Sequence, residues 1–164
     1  MANTSVFTGA DGSLTLGPGV GPEGEVADAI IKEFDILTVG RVQNVRVEVT
    51  SEVRPFHEIG QRYATQLRAG NVNVRGVIGR AYVNGALLKL LLGVAANSRP
   101  AASWNQPTFN ITLLLENSAS PGVQNTLTLH DVKLTTWAVG IPEDDFVLES
   151  VAFQALYISV EDEA

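Results

Sequence analysis

Apolar and polar residues alternate along much of this chain, the pattern of strands with one face against a core. From Arg41 to Val53, the valines Val45, Val47, Val49 and Val53 fall on one side and Arg46, Glu48, Thr50 and Glu52 on the other. The pattern returns from Asn71 to Arg80, where Val72, Val74, Gly76 and Ile78 oppose Asn71, Asn73 and Arg75. Gly76 and Gly79 within that run predict a bulge or a close backbone approach. Between the two strands, residues 54–69 lose the alternation. The reading is an antiparallel pair joined by a long excursion, where about two to five residues are usual in a hairpin.

The C-terminal half continues in strands. Thr108 to Glu116 turns Phe109, Ile111, Leu113 and Leu115 inward, and Asn117 to Asn125 is a turn of Ser, Pro and Gly. In the strand Thr126 to Leu134 the phase slips, with Leu127 and Leu129 in one register and Val132 and Leu134 in the other; a bulge at His130 and Asp131 accounts for it. The last strand, Phe146 to Val160, starts with Val147, Val151 and Phe153 on one face and ends with Leu156, Ile158 and Val160 on the opposite one. Its two ends are therefore covered from different sides. Leu14 to Leu16 forms a short strand, and residues 1–13, without periodicity, are extended or partly ordered.

Two stretches read as helices. Val26, Ile30 and Phe34 repeat every four residues from Glu25 to Phe34, although residues 29–37 also fit a strand. The second helix lies in VNGALLKLLLG, with Asn84 as N-cap, a Val83/Leu88 staple and Gly93 as its stop. Its leucines surround a cylinder only ~12 Å long. A helix apolar all round needs cover on more than one side, which makes Leu88 and Leu91 candidates for contact with another subunit. The fold class is mainly β: an antiparallel β-sandwich or small β-barrel with one or two short flanking α-helices, in a single domain spanning residues 1–164.

Charge sharpens this picture. Charged residues are 18% of the chain, below the roughly 25% of an average soluble domain, so much of the surface is available to partners. The net charge of −7 is segregated: residues 1–40 carry −5, 41–80 carry +4 with seven arginines, and 134–164 carry −7 with no base. Such blocks suit head-to-tail contact between copies, or pairing within one copy. The excursion holds Arg54, Phe56, His57, Glu58, Arg62, Tyr63 and Arg68, all candidates for inter-subunit contact. Glu143, Asp144 and Asp145 form an acidic turn in GIPEDD.

Catalytic and cofactor chemistry find little support. There is no cysteine, which excludes thiolate metal sites, disulfides and a cysteine nucleophile. Gly19, Gly21 and Gly24 keep the spacing of a dinucleotide-binding loop, but Glu23, Glu25 and Asp28 would face the phosphates and no βαβ repeat follows. His57 beside Glu58 and His130 beside Asp131 can hold a metal only if the fold brings them together. The acidic turn lacks the ligand spacing of a calcium loop. No apolar run is long enough to span a membrane and no secretory leader is evident. The chain is read as a non-enzyme without cofactor or metal.

The runs FHEIGQRYATQLRAGNVNVRGVIGRAYVNGALLKLLLG and LHDVKLTTWAVGIPEDDFVLESVAFQALYISVED resemble tail tube proteins of long-tailed bacteriophages, most of all those of contractile tails. The resemblance implies a structural virion protein that self-assembles into hexameric rings. The rings stack into a hollow tube that conducts double-stranded DNA without specific binding. It implies sheath, tape-measure, baseplate and tail terminator proteins as partners, and a place in the virion tail after assembly in the host cytoplasm. Residues 54–69 would then bridge subunits or rings, and Glu143, Asp144 and Asp145 would stand on the acidic surface or in the lumen. A tube subunit of a related injection or secretion system and a monomeric β-sandwich binding module are the alternatives.

Overall fold

A computed structural model describes residues 6–117, 119–120 and 122–163. The alternating stretches form strands, and every pair is antiparallel. In chain order the elements are β1 (Gly12–Pro18), α1 (Gly21–Phe34), β2 (Val42–Phe56), β3 (Gln66–Ala81), α2 (Ala86–Leu92), β4 (Phe109–Glu116), β5 (Gln124–Gly140), β6 (Leu148–Ala155) and β7 (Tyr157–Glu163). Of the stretch expected to be extended at the N-terminus, residues 1–5 lie outside the described residues. Residues 9–11 form a 3₁₀ turn, with the Thr8 amide donating to Asp11 Oδ2 at 2.8 Å.

Strand β5 organises the whole. Its first half, Gln124–His130, pairs with β4 and β7, and β4 pairs in turn with β1. Its second half, Lys133–Gly140, pairs with β6, followed by β3 and β2. Two sheets thus share one strand and curl into a half-barrel. The bend sits at the expected phase slip, where Asp131 takes the left-handed conformation (φ 53°) and β4 shifts register. The displaced Asp131 amide donates to Asn110 Oδ1 at 3.0 Å, so the bulge leaves no orphan donor. The long last strand breaks beside the same bend: β6 lies in one sheet, β7 in the other, and the Leu156 amide at the break donates to the His130 carbonyl. The apolar face of the last strand changes because the strand changes sheets.

The core fills the space between the sheets with Phe109, Ile111, Leu129, Leu134, Val151 and Phe153. Helix α1 closes it with Ala27, Ile30 and Ile31. That helix starts four residues before the expected Glu25. Pro22 stands in its first turn, where no amide partner is needed, and Gly24 packs directly on the backbone of Gly19. The α2 helix is only partly enclosed by the chain. Ala86, Leu87 and Leu90 are buried, whereas Leu88, Leu91 and Leu92 are half-buried, so the chain covers one side of it. The N-cap is Gly85, one residue after the expected Asn84, whose Oδ1 accepts the Ala86 amide at 3.1 Å, and Gly93 stops the helix at φ 62°.

Candidate assembly surfaces

Residues 54–69 are not a free loop. β2 and β3 remain paired through Val53↔Ala69, Arg54↔Arg68, Pro55↔Leu67 and Phe56↔Gln66, past a register shift at Ser51 to Val53. The only unpaired part is the turn 57–65, which the Thr65 amide closes onto the Phe56 carbonyl at 2.9 Å. Alternation is lost here because β6 ends at Val74↔Ala155 and the ribbon projects beyond it, exposed on both faces. His57, Glu58, Arg62 and Tyr63 lie in the turn; Arg54, Phe56 and Arg68 lie on the strands. The register puts Arg54 directly opposite Arg68. Apolar side chains accompany the charge: Ile59 is fully exposed, and Tyr63, Leu67, Val53 and Phe56 are more than half exposed.

The acidic residues stand at the other end. Ala81, the last residue of β3, pairs with Leu148, the first of β6, so the turn 141–147 with Glu143, Asp144 and Asp145 caps the end of the sheet opposite the ribbon. β3 spans 16 residues, about 50 Å at its ordinary rise. Ile141 and Phe146 flank the three acids and are both more than three-quarters exposed. Leu88 and Leu91 lie on α2 and are half-buried.

The face of the β2-β3-β6-β5 sheet that turns away from the core is mostly uncharged, with Thr50, Asn73, Ser150, Ala152 and Gln154 among its side chains. Glu48 is a carboxylate on this face. Arg75 Nη2 donates to Glu48 at 3.1 Å and Arg46 lies at 3.8 Å, beside a cleft of about 320 Å³. The Arg75 hydrogen bond and charge hold the Glu48 carboxyl below the usual carboxylate range. Glu23, at the start of α1, is held low in the same way by Lys133 at 2.8 Å and the Thr108 hydroxyl at 2.8 Å. Alternation in the sequence places Arg46, Glu48 and Arg75 on one face, but only the pairing register shows that they meet.

One charged pair was not legible as such. Arg80, grouped by sequence with the exposed arginines, is buried with Glu149; Glu149 Oε1 accepts from Arg80 Nε, and Oε2 accepts the Trp137 indole N–H at 2.8 Å. Its alternation with Ile78 and Val74 on the core face of β3 was the available signal. Among the described residues, the ion pairs of the arginine block use Arg46, Arg75 and Arg80, and none uses Arg54, Arg62 or Arg68.

The histidines do not form a metal site. His130 stacks on Tyr157 at 4.2 Å between centroids and shares a hydrogen bond with Ser159 Oγ at 2.9 Å, while His57 is in the ribbon turn. No group of three potential ligands occurs among the described residues. The glycine spacing has a packing cause: a Cβ at Gly19 would meet the Thr108 carbonyl at 2.6 Å, and one at Gly24 would strike Gly19.

A two-sheet half-barrel with a projecting β2–β3 ribbon and two helices closing its core has clear counterparts among solved structures. A chain of the SPP1 tail tube superposes with a TM-score of 0.56 at 13% identity, over 96% of this chain and 80% of that one. The chain has the tail-tube fold. Among other tail-tube-like structures, a chain of the PVC extracellular contractile injection system, in its extended sheath–tube complex, gives a TM-score of 0.66 at 10% identity (97% and 93% covered). A chain of the anti-feeding prophage baseplate, six-fold symmetrised, gives 0.64 at 17% identity (98% and 97% covered). No family model and no curated protein matches the sequence, so the tail-tube likeness is one of backbone.

Proposed function

We propose that this chain is the repeating subunit of an inner tail tube. Copies join side by side into rings, six to a ring, and the rings stack around a channel that conducts the genome into the host. The observation that carries this reading is the pair of outer edges of the second sheet, on which no further strand pairs among the described residues. β2 and the second half of β5 lie at its opposite sides, so the β2 of one copy can pair with the β5 of the next until the ring closes. The six-fold symmetry of the baseplate to which the chain is similar supports the ring number.

In such a ring the open face of the sheet lines the channel. Its hydroxyls, amides and small side chains, with Glu48 already held by two arginines, give a passing duplex little to adhere to. Sheath, tape-measure, baseplate and terminator proteins are the partners of this reading, the virion tail its location and the host cytoplasm its place of assembly. The likeness to chains of the anti-feeding prophage and PVC supports a second reading, a tube subunit of an injection system with another cargo. Electron microscopy and sedimentation velocity of the purified chain across concentration test both. Hollow rings or filaments without any cofactor are expected. A strict monomer at every concentration, with a tail initiator added, overturns the tube and favours a monomeric binding module.

A further inference from the structure

Arg54 and Arg68 face each other across the β2–β3 ribbon, and like charges in directly opposed positions destabilise a strand pair. Among the described residues neither has an ion-pair partner, and the ribbon stretch 54–69 carries Arg54, Arg62 and Arg68 against Glu58 alone, a net +2. The arrangement is disfavoured in an isolated copy and relieved by an acidic partner. Apolar side chains are exposed around it, Tyr63 at 87% and Leu67 at 68%, so the partner also offers apolar surface.

We infer that the partner is a second copy of this chain, and that its turn 141–147 receives the ribbon. This rests on the tube reading and names the two surfaces that meet between rings. The turn carries Glu143, Asp144 and Asp145, none of them in an ion pair among the described residues, between Ile141 (77% exposed) and Phe146 (79%). The two surfaces match in sign and in apolar content. They also lie at opposite ends of one strand, so neither can satisfy the other within a copy. A contact between opposite ends of identical molecules is heterologous: it adds rings in one direction and leaves a basic end and an acidic end on every stack. The charges guide and select the contact, and the apolar residues, desolvated at its centre, hold it.

Charge reversal tests this. Arg54→Glu with Arg68→Glu is expected to leave rings intact and to abolish stacking, raising the concentration needed for tubes on the order of tenfold or more. Adding Glu143→Arg and Asp144→Arg to the same chain is expected to restore stacks of that chain with itself. Because the natural chain has no cysteine, Arg68→Cys in one copy and Asp144→Cys in another give an independent readout: disulfide-linked pairs containing one of each. Normal stacking of the ribbon variant overturns the inference, as does failure of the second swap to restore stacks when rings still form. Rings built from the two cysteine variants that never yield the mixed disulfide overturn this contact while leaving the ring reading standing. A wild-type chain that forms no rings, with cysteine variants that form no mixed disulfide, overturns both.

Discussion

A buried guanidinium shows how little room single residues have in this fold. Arg80 donates to Glu149 and, through Nη2, to Asn84 Oδ1 at 3.3 Å, and that same oxygen accepts the first amide of α2. Three strands and a helix are thereby tied through one pair, since Trp137 on β5 holds the other carboxylate oxygen. Removing one member strands the other in a buried site. Glu149→Gln is therefore expected to lower stability by about 3–5 kcal/mol in urea unfolding, and Arg80→Met with Glu149→Leu by much less, because no charge is left behind. A double variant as damaged as the single one would refute this and make packing, not charge, the reason for the pair. The arginines from Arg41 to Arg80 look alike in composition; alternation sets Arg80 on the side of Ile78 and Val74 and Arg75 on the other, but only the register shows that Arg80 meets Glu149.

Elements were legible where one face is buried and illegible where neither or both are. The valines of β2 mark that strand as far as Ser51, although only Val42, Val45 and Val47 pack against the core and Val49 is half exposed. Beyond it both faces meet solvent and the alternation carries no information, so a paired ribbon reads as a loop. β5 and the last strand were recognised by their change of phase, which is what a strand shared between two sheets, or broken between them, must show. Helix α2 was legible as an apolar cylinder with its stop at Gly93, and the structure shows which side of it the chain covers. Its leucines differ sharply: Leu90 is fully buried, whereas Leu88 is half-buried. Leu90→Ala is expected to cost about 2–5 kcal/mol of folding stability in denaturant titration, while Leu88→Ala stays below roughly half of that. Equal losses would mean that the chain itself encloses the helix, and would remove Leu88 as a contact candidate.

At the scale of the whole molecule, the four sheet edges are treated differently. The outer edge of β1 is covered by residues 37–39: the Leu16 amide donates to the Leu37 carbonyl at 2.8 Å and the Val39 amide to the Leu14 carbonyl at 2.9 Å. β7, at the other edge of that sheet, carries Glu161 and Asp162, charges of the kind that discourage a further strand. The second sheet has no such protection over the body of β2, where proline appears only at Pro55 in the ribbon. Beside β2 an apolar cleft of about 670 Å³ opens, lined in part by Val42, Val45, Leu113 and Leu127. A monomer that guards one sheet and leaves the other open is shaped to add copies through the open one. Hydrogen exchange read amide by amide separates the four edges. On assembly, alternate amides of β2 between Val42 and Ser51, and of β5 between Lys133 and Gly140, are expected to slow strongly, since they point away from their partners within the chain. Those of β7 are expected to keep their monomer rates. Slowing at β7 with none at β2 would place the lateral contact on the other sheet, and the open face of the second sheet would then have no claim to line the channel.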